Sequence, residues 1–198
     1  MSDVLLAIDT AAPRLQLALL VGAHCDTLVE DMPKGQAERL FSAIDELLDR
    51  NGLVYADLTR LAVTTGPGSF TGLRIGLSAA RGLALALDIP VLGIPSLLAL
   101  SLATTGPTAA LIDARRGEAY TQQFSGPGVA TSSAAVLPTE EAAAAIPAGA
   151  KILSDPFVDI GALARFAASA DPGAYPPEPD YVRGADAKPQ EKFRVARQ

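Results

Sequence analysis

Short apolar runs separated by turn residues open the chain. Val4–Asp9, Leu15–Val21 and Cys25–Glu30 read as three strands. The apolar period then changes from two to 3.6. Ala37, Leu40, Phe41, Ile44, Leu47 and Leu48 fall on one helical stripe, with Glu38, Arg39, Ser42, Asp45, Glu46 and Asp49 opposite, and Asn51-Gly52 supplies the stop. Leu61–Thr64 predicts another short strand, ahead of the glycine-rich stretch Gly66-Pro67-Gly68-Ser69-Phe70-Thr71-Gly72. A long apolar helix is expected from about Thr71 to Leu87, then a strand over Pro90–Ile94 and a helix from about Pro95-Ser96. The predicted order is β-β-β-α-β-α-β-α.

This order resembles the RNase H-like half-domain of the actin, sugar kinase and Hsp70 group (the ASKHA fold). There, three antiparallel strands are followed by right-handed parallel crossovers. A second copy of the pattern begins at Ala109: Ala110-Leu111-Ile112-Asp113, a turn with Arg115 and Arg116, and the strand Glu118–Phe124 parallel Leu5–Asp9, its turn with Arg14, and the strand after it. The expected fold class is α/β, RNase H-like, with two lobes. Residues 1–105 form the first lobe and 106–198 an abbreviated second lobe ending in a Pro-rich, basic tail. Residues 126–150 are rich in Ala, Gly and Pro, and Pro172, Pro176, Pro177 and Pro179 exclude regular structure from Asp171–Asp180.

Composition narrows the class. Hydrophobic residues make up 49% and charged residues 19%, too apolar for a disordered chain. Arg74 and Arg81 interrupt the longest apolar stretch, so no membrane span is expected. The first strand follows Met1 almost at once without a basic flank, and Cys25 is the single cysteine. A cytoplasmic location is therefore expected. The formal charge of −6 argues against a main nucleic-acid surface. From Tyr181 onward, however, Arg183, Lys188, Lys192, Arg194 and Arg197 stand against Asp186 and Glu191, a local excess of three positive charges. That tail reads either as a solvated end or as a strap on a partner or RNA.

The glycine-rich stretch is the first candidate site. Glycines ahead of a helix let backbone N–H groups converge on an anion, and Ser69 and Thr71 can cap the helix start. Asp9, Thr10, Gly66, Gly68, Ser69 and Thr71 are the candidate nucleotide-binding residues. The stretch is neither a P-loop, since no Gly-Lys-Ser/Thr follows, nor a dinucleotide fingerprint. The competing reading is a structural turn that lets helix and sheet pack closely. Asp9 stands where actin-like ATPases keep an acidic residue, but Thr10-Ala11-Ala12-Pro13 lacks the glycine those enzymes place after it. There Asp9 and Thr10 would satisfy strand-end backbone groups. One histidine, His24, and one cysteine cannot build a typical transition-metal site. No catalytic and no metal-binding residue is assigned.

Gly66-Pro67-Gly68-Ser69-Phe70-Thr71-Gly72-Leu73-Arg74-Ile75-Gly76 matches, residue for residue, the GPGSFTG(L/V)RIG signature of the TsaB family. Leu6-Ala7-Ile8-Asp9-Thr10, Ala37-Glu38-Arg39-Leu40, Gly82-Leu83-Ala84-Leu85, Asp113–Tyr120 and Tyr181-Val182-Arg183 resemble that family's other landmarks in order. The resemblance implies a non-catalytic partner subunit of the complex that forms N6-threonylcarbamoyladenosine in ANN-decoding tRNAs. It implies binding to TsaD and TsaE, a possible homodimer, and contact with tRNA only through the complex. ATP and metal belong to the partner subunits, and no cofactor is expected here. TsaD holds its metal with two histidines near its first long helix, whereas this chain has Gly35-Gln36-Ala37-Glu38 there. The alternative is an actin-fold nucleotide-binding enzyme or a glycoprotease-like peptidase. The expected docking surface joins Glu38, Phe41, Ser42 and Asp45 on the first helix to Gly72, Arg74, Gly76 and Ala80 on the second, as half of a four-helix bundle. Gly72, Gly76 and Ala80 recur every fourth residue and would form its groove, unless they serve to fit the helix onto its own sheet.

Overall fold

The computed structural model describes residues 3–182. β1 (Val4–Asp9), β2 (Arg14–Val21) and β3 (His24–Asp31) form an antiparallel meander, and β4 (Arg60–Gly66) and β5 (Val91–Pro95) add to β1 in parallel. The sheet order is β3-β2-β1-β4-β5. α1 (Gln36–Arg50) precedes β4, α2 (Phe70–Leu87) links β4 to β5, and α3 (Ser96–Ser101) follows β5. All six residues of β1 are buried. Leu6 and Ile8 pack with Leu40, Ile44, Leu77 and Ala80 of α1 and α2, while Leu5 and Ala7 pack with α3 and a helix from the second half. A strand covered on both faces reads as an unbroken apolar run, as Val4–Ile8 does.

The second sheet repeats this plan in miniature. β6 (Thr108–Arg115) and β7 (Glu118–Gly126) are antiparallel, β8 (Val129–Ala130) and β9 (Ala135–Pro138) both pair with β7, and β10 (Lys151–Leu153) joins β6 in parallel. The Ala-, Gly- and Pro-rich stretch therefore holds two short strands and a short helix, α4 (Thr139–Ala144). α5 (Ile160–Ser169) leaves the second sheet and packs on β1 and β2 of the first. Its Leu163, Ala164 and Ala167 share a core with Leu5, Ala7, Ala18 and Leu20. Arg60 Nη1 fastens its far end, donating to the carbonyls of Ala167 and Ala170 at 2.9 Å each.

Two details of the helices differ from the sequence pattern. The buried face of α1 is Gln36, Leu40, Ala43, Ile44, Leu47 and Leu48, and Ala37 and Phe41 lie outside it on the exposed side. Gln36 is tolerated there because its Nε2 donates to the Met32 carbonyl at 2.9 Å. α2 is long and apolar enough, by length and composition alone, to cross a membrane. Its Gly72, Leu73, Gly76, Leu77, Ala79, Ala80 and Ala84 are buried, and its outer stripe carries Arg74, Ser78 and Arg81.

The small residues of α2 face the chain's own sheet, which corrects the expected groove. A Cβ on Gly76 would lie 2.7 Å from Thr10 Oγ1 and 3.3 Å from Val63 Cγ2, and Ala80 is fully buried. A Cβ on Gly72 would overlap the Thr10 carbonyl oxygen. The stripe is spent on helix–sheet packing and has no free face to offer a partner.

Past α5, Asp171–Asp180 contains one 3₁₀ turn at Pro172–Ala174 and then runs along the open side of β5. Gly93 N donates to the Tyr175 carbonyl at 2.9 Å, and Asp180 N donates to the Thr65 carbonyl at 2.8 Å. Gly93 is needed for this approach, because a Cβ there would meet Thr65 Cγ2 at 2.5 Å and the Pro177 backbone at 2.8 Å. Arg183, Lys188, Lys192, Arg194 and Arg197 of the basic tail lie outside the described residues.

Candidate functional site

β1 delivers Asp9 to the rim of a cleft, and donors from β2, β4 and the turn after β1 meet on its carboxylate. Oδ1 accepts from Ala11 N at 3.0 Å and from Thr64 Oγ1 of β4 at 2.6 Å, and Oδ2 accepts from Gln16 Nε2 of β2 at 2.9 Å. Asp9 is 1% exposed. Thr10 turns the other way, and its Oγ1 donates to the Gly72 carbonyl at 2.7 Å. Ser69 caps α2 by accepting from Gly72 N at 3.3 Å, while Ser69 N donates to the Ala11 carbonyl at 2.7 Å. A Cβ on Gly68 would come within 2.7 Å of that same carbonyl. Of the six candidate nucleotide residues, Asp9, Thr10, Gly68 and Ser69 thus converge on one helix–turn junction. Gly66 is buried beside Asp180, and Thr71 is exposed.

The second sheet mirrors the strand end. Asp113 of β6 accepts from Arg115 N at 2.7 Å, the same short turn that Asp9 makes with Ala11 N. Asp9 and Asp113, assigned to separate lobes by sequence, line one cleft of about 370 Å³ together with Pro13, Ser69, Arg115 and Tyr120. The residues present do not fit the metal–phosphate site of actin-like ATPases. Asp9 is buried and three times bonded, and the glycine-rich loop directs Ser69 N and Gly72 N into its own chain. Among the described residues no three His, Cys, Asp or Glu side chains come together in a way that could hold a metal ion.

His24 is exposed at the start of β3, paired across the hairpin with Val21. His24→Ala should shift unfolding free energy by no more than about 0.5 kcal/mol, as at other surface sites, a figure that urea denaturation reads directly. Burial pushes the Cys25 thiol up, the opposite of an activated nucleophile.

Of the expected docking residues, Glu38, Phe41, Ser42, Asp45 and Arg74 are exposed, and Gly72, Gly76 and Ala80 are buried. Ser42 and Asp45 also work inside the chain. Ser42 Oγ accepts from Arg39 Nη1 at 2.9 Å, and Asp45 accepts from the Tyr55 hydroxyl at 2.7 Å. Arg39 bridges Glu30 and Glu46, and these two carboxylates hold its guanidinium pKa up. Sequence reasoning missed Leu85, which is 86% exposed on α2. Its signal was present, since positions 74, 78, 81 and 85 keep one helical face.

Residues 30–152 match the family described as TsaD, tRNA N6-adenosine threonylcarbamoyltransferase. The tRNA threonylcarbamoyladenosine biosynthesis protein TsaB of Escherichia coli K12 is 35% identical over 125 residues, covering 61% of this chain and 54% of that protein. The chain thus spans about half the length of the TsaB relatives it matches. The uncharacterized protein Rv3421c of Mycobacterium tuberculosis H37Rv is 34% identical over 203 residues, covering 94% of this chain and 95% of that one. The solved structure of YeaZ from Pseudomonas aeruginosa superposes with a TM-score of 0.75 at 28% identity, covering 90% of this chain and 99% of the other.

Proposed function

The chain belongs to the TsaB (YeaZ) family, and from that premise we propose that it is a non-catalytic subunit of the machinery that makes threonylcarbamoyladenosine in tRNA. It works in the cytoplasm as a scaffold that holds TsaD and TsaE, which bring the ATP and metal chemistry, and it meets tRNA only through that complex. Its fold is read as RNase H-like, of the ASKHA type. The order β3-β2-β1-β4-β5 and its shortened repeat around β6 support this. The observation that carries the scaffold reading is Asp9. The residue an actin-like enzyme needs for metal and phosphate is here buried and tied to Ala11, Gln16 and Thr64.

The docking face is the exposed side of α1 and α2: Glu38, Phe41, Ser42 and Asp45, with Arg74 and Leu85 beside them. Phe41 and Leu85, 48% and 86% exposed, supply its apolar anchors. A second copy of the chain could take the same face in the absence of TsaD. The test is a reconstituted tRNA modification assay containing TsaD, TsaE and the threonylcarbamoyl donor, run with and without this chain. Modification should require the chain, and the chain alone should neither modify tRNA nor turn over ATP. Phe41→Glu with Leu85→Glu should weaken TsaD binding by at least about tenfold, the loss of one or more anchor residues, while leaving the thermal midpoint in place. ATP turnover by the pure chain, or unchanged TsaD affinity of the double variant, would overturn the reading.

A further inference from the structure

The C-terminal segment and the start of α2 enclose a second, smaller cavity that the scaffold role does not use. It measures about 140 Å³ and is lined by Pro67, Phe70, Leu73, Tyr120, Asp180 and Tyr181 among others. We propose that this pocket binds an alkylguanidinium or alkylammonium group, such as the side chain of an arginine or lysine.

Three observations carry this. The pocket is aromatic: Phe70 and Tyr181 lie with ring centroids 6.3 Å apart, and Tyr120 lines the same cavity. Ring faces are electron-rich and attract cations. Phe70 already shows this chemistry within the chain, since the Arg74 guanidinium carbon sits 3.8 Å from its centroid. Asp180 lines the same pocket. Among the described residues no donor is bonded to the Asp180 side chain, and the backbone bond of Asp180 N to Thr65 holds the residue in place. Burial pushes the Asp180 carboxyl up, and a cation beside it would offset that desolvation. A neutral apolar guest would desolvate that carboxylate further, and an anion would be repelled by both the carboxylate and the ring faces. Size completes the case. Small-molecule sites run to about 300 Å³ or more, so this cavity suits one side chain and excludes a nucleotide.

The pocket is open at the surface, because Phe70 and Tyr181 are 56% and 53% exposed. It stands independently of the scaffold reading.

The experiment is an NMR titration of the ¹⁵N-labelled full chain with N-acetylarginine amide and with its neutral isostere, N-acetylcitrulline amide. Saturable shifts at residues 66–73 and 180–182 are expected for the arginine compound. Binding at least about tenfold weaker is expected for citrulline, for Asp180→Asn and for Phe70→Leu. Equal binding of the two compounds, or an Asp180→Asn chain that binds arginine as well as the parent does, would overturn the proposal. The source of the cation is read separately. If Asp180→Asn also weakens TsaD binding, the guest is a partner's basic side chain. If only the small compound is affected, the guest is a free cation.

Discussion

Gly72→Ala should leave the chain largely unable to fold at moderate urea. The added Cβ would overlap the Thr10 carbonyl oxygen and stand 3.0 Å from the Thr10 carbonyl carbon, both backbone atoms that no side-chain rotation can move. Relief requires the start of α2 to lift from the strand end. That motion breaks the Thr10 Oγ1 bond to the Gly72 carbonyl and the Ser69 N bond to the Ala11 carbonyl. Overpacking of this kind costs about 3 kcal/mol or more, well above the ~1 kcal/mol that alanine gains over glycine inside a helix. Gly82 of the same helix provides the control, because a Cβ there meets nothing within 4 Å. Gly82→Ala should therefore stabilise by about 0.5–1 kcal/mol. Opposite shifts of the two urea midpoints are expected. A Gly72→Ala chain as stable as the parent would mean that the small-residue stripe is not committed to the sheet.

Asp9→Ala should be the next most damaging change, and it should act on stability alone. Removing the carboxylate strands three buried donors: Ala11 N, Gln16 Nε2 and Thr64 Oγ1. Each unsatisfied buried group costs about 1–3 kcal/mol, so a loss of about 3 kcal/mol or more is expected in urea unfolding. Asp9→Asn keeps the shape and one acceptor oxygen and should lose less. The decisive measurement is tRNA modification per folded molecule in the reconstituted system. It should match the parent for Asp9→Asn. A stable Asp9→Asn chain that supports no modification would make Asp9 a working residue rather than a structural one.

Much of the first sheet is legible in the sequence because its elements are specified locally. β1 matches its apolar run, and β2, β3 and α2 begin within a residue of theirs, since period, turn residues and the Ser69 cap lie inside each segment. What fails is the choice of neighbour. A stripe through Ala37, Leu40, Phe41 and Ile44 is sound helical arithmetic. Which side of it meets Leu17 and Leu19 depends on how α1 is rotated against the sheet. Gly72, Gly76 and Ala80 announce a close approach without saying to what. At the site, the spacing shows that Asp9 follows a strand. That Gln16 and Thr64 close around it follows only from the register, which sets Asp9 opposite Gln16 and brings β4 alongside β1. The crossing of α5 onto the first sheet is the least legible feature, because nothing within Ile160–Ser169 names the surface it covers.

That crossing, with the segment that follows it, bears on how the chain emerges during synthesis. The first sheet is complete in its strands by Pro95, yet α5 and residues 175–180, which cover one of its faces and its β5 side, are translated well after it. A nascent chain that has just passed α3 would carry Leu5, Ala7, Ala18 and Leu20 without the helix that covers them, beside a β5 whose Gly93 N–H has no acceptor. Such a surface invites chaperones or other nascent chains until about eighty further residues arrive.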